Sequence, residues 1–141
     1  MEKGRWIPKV DDVEEVKAKG NLLYNAGKKF FEIIKDINVI RLRDKTNRVY
    51  GYEFKDYVLV AKRYAMGWIV SCHFSAVELC VAKNKQLVMY IEKGDKFYRF
   101  NAKNIIKEGT INQRGSINML NFDIRTGINI EKIEEEQQTL Q

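Results

Sequence analysis

The hydrophobic period of this chain changes once, near residue 37, and that change restricts the possible folds more than any other feature. Upstream, Val16, Leu23, Ala26, Phe30, Ile33, Ile34 and Ile37 recur at helical spacing. Downstream, apolar residues alternate with polar ones or run together in short pieces bounded by turn residues. One long helical pattern followed by many strand patterns describes an α+β fold rather than a helical bundle or a strictly alternating α/β chain. The expected architecture is a central mixed or mainly antiparallel sheet, a long N-terminal helix and one short helix.

The elements follow from the same patterns. Residues 1–10 read as irregular, with Trp6 and Ile7 placed to tuck against the domain. A helix is expected over 13–36, opened by the capping pair Asp12 and Glu15. Gly20 and Gly27 each cost about 1 kcal/mol relative to alanine, so a break or kink is expected near one of them. INVIRLRD (37–44) and RVYGYEFK (48–55) flank the polar turn KTN and read as a hairpin, and QLVMYIE (86–92) and KFYRF (96–100) do the same around KGD. YVLVA (57–61) and GWIVSCHF (67–74) are nearly continuous apolar runs, as in strands covered on both faces. SAVELCVAK (75–83) fits a short helix with Ser75 as N-cap and Glu78 closing a capping box. Residues 101–115 read as a polar loop with one helical turn, and INMLNFDI (117–124) as a last strand before a turn at Thr126-Gly127.

At 141 residues, 45% hydrophobic and 31% charged, the chain has the composition of an ordinary globular protein. Residues 1–130 are expected to form one basic α+β domain and residues 131–141 a flexible acidic tail. The formal charge is +6, but the tail EKIEEEQQTLQ has four Glu and one Lys, so residues 1–130 carry +9. Such a body suits a polyanion partner, most commonly nucleic acid. No apolar run approaches membrane-spanning length and no signal region opens the chain, which points to a cytoplasmic protein without a membrane partner. Cys72 and Cys80 match no metal spacing and read as reduced, buried small hydrophobes.

The inventory of catalytic groups is short. His73 is the one histidine. It follows Cys72, and in a strand the two side chains point to opposite faces, so they form neither a nucleophile–base pair nor two ligands of one zinc. No phosphate-binding GxxxxGK[ST] loop and no GxGxxG occurs. Carboxylates remain: Asp44 ends one expected strand, and Glu53-Phe54-Lys55 lies on the next. Asp44 and Glu53 could hold Mg²⁺, which prefers oxygen ligands, while Lys55 positions the attacking water.

These features, KGNLLYNAGKKFFE on a helix, then a strand with an Asp, then ExK, then helix and strand, resemble the PD-(D/E)xK (restriction-endonuclease-like) nucleases. Among those they are most similar to small Holliday junction resolvases, over roughly residues 13–100. The resemblance implies a Mg²⁺-dependent endonuclease hydrolysing DNA rather than RNA, with catalytic Asp44, Glu53 and Lys55, metal ligands Asp44 and Glu53, and a homodimer. Lys28, Lys29, Arg41, Arg43 and Arg48 would then contact phosphates. A second register takes Asp56 as the motif aspartate; Ser71 and His73 then replace the glutamate and lysine, and the chain binds nucleic acid without cutting it.

A rival reading uses the other parity of 48–55. Arg48, Tyr50, Gly51 and Tyr52 resemble part of the RNA-recognition motif, in which exposed aromatics stack on bases, although Val49, Glu53 and Lys55 depart from it. Lys96, Tyr98 and Arg99 repeat the interleaving of basic and aromatic residues. This gives a non-catalytic DNA- or RNA-binding protein with a basic aromatic sheet face, and a small protein-binding adaptor is the third class. Regular alternation would put Tyr50 and Tyr52 on one face and Glu53 and Lys55 on the other, so the nuclease and binder readings demand opposite faces.

Overall fold

A computed structural model of the chain describes residues 22–36 and 38–130. The expectations for 1–21, for Ile37 and for the tail 131–141 lie outside the described residues. Helix α1 (Leu22–Ile34) turns Ala26, Gly27, Phe30 and Phe31 inward and keeps Lys28, Lys29 and Glu32 in solvent. It runs unbroken through Gly27, which is buried on the packed face; Gly20, the other place at which a break is expected, lies outside the described residues. It ends at Lys35, whose φ of 53° is left-handed and whose N–H bonds the Phe31 carbonyl at 2.6 Å.

The antiparallel hairpin of β1 (Ile40–Arg43) and β2 (Val49–Glu53) follows, and β3 (Tyr57–Lys62) pairs antiparallel with β2. The chain then crosses over through β4 (Ile69–His73) and α2 (Phe74–Lys83), so that β5 (Gln86–Ile91) lies parallel to β3, in register from Tyr57↔Gln86 to Lys62↔Ile91. A parallel pair requires such a crossover. After β6 (Lys96–Phe100) come α3 (Ala102–Glu108), β7 (Thr110–Arg114), β8 (Ile117–Asp123), a 3-10 turn (Ile124–Thr126) and β9 (Ile128–Asn129). Six strands form one mixed sheet in the order β1-β2-β3-β5-β6-β9, and three form an antiparallel sheet in the order β4-β8-β7. The fold is α+β, with an N-terminal helix shorter than expected within the described residues. No helix among those residues is long and apolar enough to cross a membrane.

The core lies on both faces of the six-stranded sheet. Val58, Leu59 and Val60 of β3 and Leu87 to Ile91 of β5 are all buried, which explains why YVLVA reads as a nearly continuous apolar run and shows that the hairpin arm QLVMYIE is covered in the same way. On one face Phe30 and Phe31 of α1 pack with Tyr52, Phe54, Leu59, Val88 and Phe97, and the Phe30 ring meets Phe54 edge-on at 5.1 Å. On the other, Ala76, Val77 and Cys80 of α2 and Ile105 of α3 pack with Val58, Val60, Leu87 and Met89, beneath Val70, Cys72, Leu120 and Phe122 of the small sheet.

Three local expectations change. GWIVSCHF is covered on one face only: Val70 and Cys72 are buried, whereas Trp68 and Ile69 are exposed, since β4 belongs to the outer small sheet. The cap of α2 is His73, with no side-chain cap bond, so Ser75 lies inside the first turn. Residues 101–115 are not a loop. Asn101 caps α3 by accepting from the Asn104 N–H at 3.1 Å. With only Ala102 and Ile105 buried, the segment is too short to show a helical period.

The largest departure is in β2. Leu42 pairs with Gly51 but Arg43 pairs with Val49, so Tyr50 is the extra residue of a β-bulge. The bulge resets the alternation. Val49 joins Tyr52 and Phe54 on the α1 face, and Tyr50 packs on the α2 face. Gly51 permits the close approach beside it, because a Cβ there would lie 2.7 Å from the Leu59 carbonyl oxygen and 3.4 Å from Val60 Cγ1. Gly51→Ala should therefore wedge β2 from β3 and destabilise the protein by about 2 kcal/mol in urea unfolding, with little change in m.

Candidate nucleic-acid interface

A cleft of about 790 Å³ opens between the β1–β2 turn, the end of β3, the end of β4 and the tip of the β7–β8 hairpin. Asp44, Arg48, Tyr50, Lys62, Arg63, His73 and Arg114 line it. Asp44 and Arg48 arrive on the turn, Lys62 and Arg63 where the buried run of β3 reaches solvent, His73 at the junction of β4 and α2, and Arg114 on the hairpin.

Asp44 organises the cleft wall. One carboxylate oxygen accepts from the Thr46 N–H at 2.8 Å, the Thr46 hydroxyl at 2.6 Å and the Arg48 N–H at 3.1 Å. The other lies 3.1 Å from His73 Nε2. Burial works against this charge, but the bonds from Thr46, Arg48 and His73 outweigh it and hold the carboxyl at about 2. The His73 ring stacks on Tyr50 with centroids 4.4 Å apart and planes 7° apart. Burial raises the Tyr50 phenol, with a hydrogen bond from Ser75 opposing.

Glu53 serves a different purpose. It is the one buried charged residue among those described, 5% exposed. Its carboxylate accepts from Lys83 Nζ at 2.9 Å and Lys85 Nζ at 2.6 Å, and Lys85 also donates to the Phe54 carbonyl at 2.7 Å. Burial raises the Glu53 pKa, yet the two lysines more than offset that and leave it lowered. Glu53 pairs with Ile40, and Asp44 lies four residues further along that strand, roughly 13 Å at about 3.3 Å per residue. Carboxylates sharing one Mg²⁺ must each approach it to about 2.1 Å.

The residues present therefore do not fit the Mg²⁺ site drawn from Asp44, Glu53 and Lys55. The two carboxylates are at opposite ends of the hairpin, and Glu53 is neutralised by lysines. Lys55 lies exposed beyond β2, its backbone N–H bonded to the Asp36 carboxylate. Among the described residues no group of three or more His, Cys, Asp or Glu side chains could hold a metal ion. The second register fares no better: Asp56 immediately precedes β3, while His73 sits in the cleft at the far end of that strand.

The aromatic face is also taken apart. Tyr52 is 4% exposed, in the α1 core, and Tyr50 is held against His73, so neither offers a free ring to a base. Tyr98 and Arg99 are half-buried, with Arg99 donating to Gln86 at 3.1 Å; Lys96 is exposed. Lys29 is engaged by Asp95 at 2.8 Å and Tyr90 at 3.2 Å. Lys28 is exposed on the outside of α1, Arg41 is half-buried, and Arg43 donates to the Asn47 carbonyl at 3.0 Å. Of the cations expected to contact phosphate, only Arg48 lines the cleft. Lys62, Arg63 and Arg114 were not anticipated. The sole signal for the first two was a pair of basic residues closing an apolar strand, and Arg114 lay in the supposed loop. Cys72 and Cys80 are free and buried, as expected, and burial lifts both thiols to about 12.

No protein-family model and no curated protein sequence matches the chain. A solved structure, that of a nuclease from a fusselovirus, is similar over 97% of this chain and 99% of its own, at 14% identity and a TM-score of 0.42.

Glu53→Gln should destabilise the protein by about 3 kcal/mol, since it leaves Lys83 and the largely buried Lys85 without a counter-charge. The Glu53 carboxyl is lowered in the folded state, so its stabilisation is complete above the ordinary value of 4.5 and is lost as pH falls through the lowered one. Thermal unfolding from pH 7 to pH 2 should show a shallower acid decline in Glu53→Gln than in the parent.

Proposed function

We propose that this chain binds nucleic acid through the cleft by contacts to phosphate and does not cut it by a carboxylate-held metal. The observation that carries the reading is the placing of Lys62 beside Arg114. Burial lowers the Lys62 pKa, and the Arg114 charge lowers it further. Neither cation forms an ion pair within the described residues. Two like charges brought together at a partly desolvated site are unfavourable in the free protein. A phosphate between them would relieve both costs.

Arg48 enters the same cleft from the β1–β2 turn. Arg63 enters from the end of β3, bonded to Glu92 at 3.1 Å on the exposed rim, and exposed pairs of this kind contribute little. Cations from three separate elements suit an extended polyanion better than one small phosphate, and the chain charge of +6 agrees. Asp44, held ionised by its hydrogen bonds, offsets one of the four cations that line the cleft, so the lining keeps a positive balance. Metal-dependent DNA hydrolysis gains no support from the described carboxylates.

Fluorescence anisotropy with labelled duplex, single-stranded and four-way-junction DNA across a salt series tests the reading. Log K should fall linearly with log salt, and Arg114→Ala and Lys62→Met should each reduce the slope by about 1. Absence of salt-sensitive binding to all three would overturn it. Lys62→Met should also raise Tm by roughly 3 °C, because it removes a half-buried cation that the free protein does not need. With its folded pKa below the ordinary 10.5, Lys62 destabilises fully at neutral pH. That penalty disappears as pH climbs through the lowered value towards 10.5, so the advantage of Lys62→Met should narrow over the same range.

A further inference from the structure

We infer that the β7–β8 hairpin is a two-stranded ribbon that enters the major groove of B-form DNA, with Asn112 and Arg114 on its reading face. The inference rests on the proposed nucleic-acid reading of the cleft and deepens it by naming the substrate class.

Every residue of β7 is exposed, which holds for no other strand among those described. The strand pairs with β8 on one side, and its outer edge has no partner in the described sheet. It does little for the core. Its side chains are those that read base edges: Asn112, Gln113 and Arg114, followed by Ser116 and Asn118 across the turn. None of these five makes a side-chain hydrogen bond within the described residues. The tip is a tight turn at Gly115-Ser116, with Gly115 at φ 63°, so the ribbon is short-looped rather than slack.

The pairing register fixes which residues share a face. Asn112 lies opposite Met119 and Arg114 opposite Ile117, while Met119 also lies opposite His73 of β4. Asn112 and Arg114 are therefore on the side that carries His73, the side that lines the cleft. Gln113 and Asn118 form a pair on the other side.

Charge and chemistry select the occupant. From Gly109 to Phe122 the segment holds one cation, Arg114, and no carboxylate, so nothing on the ribbon repels a polyanion. An asparagine amide matches the paired donor and acceptor of adenine, while Arg114 on the same face keeps the phosphate contact it shares with Lys62. The major groove of B-form DNA, about 12 Å wide, admits a two-stranded ribbon. The deep, narrow major groove of A-form RNA does not. With the ribbon in the groove, Lys62 and Arg48 in the cleft meet the adjoining phosphates.

Selection from a randomised duplex DNA pool, followed by sequencing, tests this. The wild-type protein should enrich a short base pattern. Asn112→Ala should flatten the enrichment at one position while affinity for unselected duplex stays within about twofold, because the phosphate contacts remain. Gln113→Ala, on the opposite face, should leave the pattern unchanged. Circular dichroism and Tm equal to wild type for both variants confirm that these exposed positions are not structural. Duplex binding without enrichment by the wild type, or enrichment that survives Asn112→Ala, overturns the ribbon while leaving the cleft reading in place. Enrichment lost equally in Gln113→Ala overturns the assignment of the face. Absence of all DNA binding overturns both readings together.

Discussion

A carboxylate buried at the end of an inner strand has to be paired, and Glu53 is paired twice, with Lys83 at the last residue of α2 and with Lys85 just beyond it. The opposite end of the same helix is tied by Asp44 to its cap residue His73. A ten-residue helix is about 15 Å long, close to the roughly 13 Å that separates Glu53 from Asp44 along the hairpin. Helix α2 is thus clamped at both ends to β1–β2, and much else depends on that. The clamp sets where the crossover ends, so β5 enters beside β3 in parallel register and the two central strands are covered on both faces. It also places His73 and the end of β4 against the β1–β2 turn, which is what encloses the cleft.

The same geometry explains how two carboxylates in a suggestive pattern came to have other duties. Asp44 and Glu53 lie nine residues apart on a hairpin. A hairpin turned immediately after Asp44 brings residues together only near its closed end. Glu53 sits level with Ile40, at the open end. Spacing along the sequence could not show this, because the distance between two hairpin residues depends on register, and register depends on the bulge.

That bulge marks where the sequence stopped being legible. The two hairpins and the positions of the expected strands follow from local pattern, and the structure agrees on them to within about three residues; of the two runs expected to be covered on both faces, β3 is and β4 is not. The split between Tyr50 and Tyr52 does not follow, since one inserted residue reverses the parity of everything before it. Gly51 was the available signal, an isolated glycine inside a strand pattern. The pattern also failed for α3 and β7, for opposite reasons. Helix α3 has two buried residues, too few to show a period. Strand β7 has none, and a strand that buries nothing carries no alternation to detect. The second failure bears on function, because elements exempt from packing are those free to meet a partner.

The cleft cations show the same separation between what folds the chain and what the fold exposes. Lys29 has Asp95, Glu53 has its lysines, and Arg125 has Asp123 at 2.7 Å. Lys62 and Arg114 are brought together instead of apart, although Lys62 is the last residue of β3 and any medium-sized apolar residue could close that strand more favourably. Stability does not account for a cation at that place. On the proposed reading an incoming anion does, and cations drawn from the β1–β2 turn, the end of β3 and the tip of the ribbon, Arg48, Lys62 and Arg114, suit a strand of phosphates. On that reading, charge at the cleft and bare polar side chains on the hairpin are two parts of one surface, the first holding any duplex and the second giving it a register.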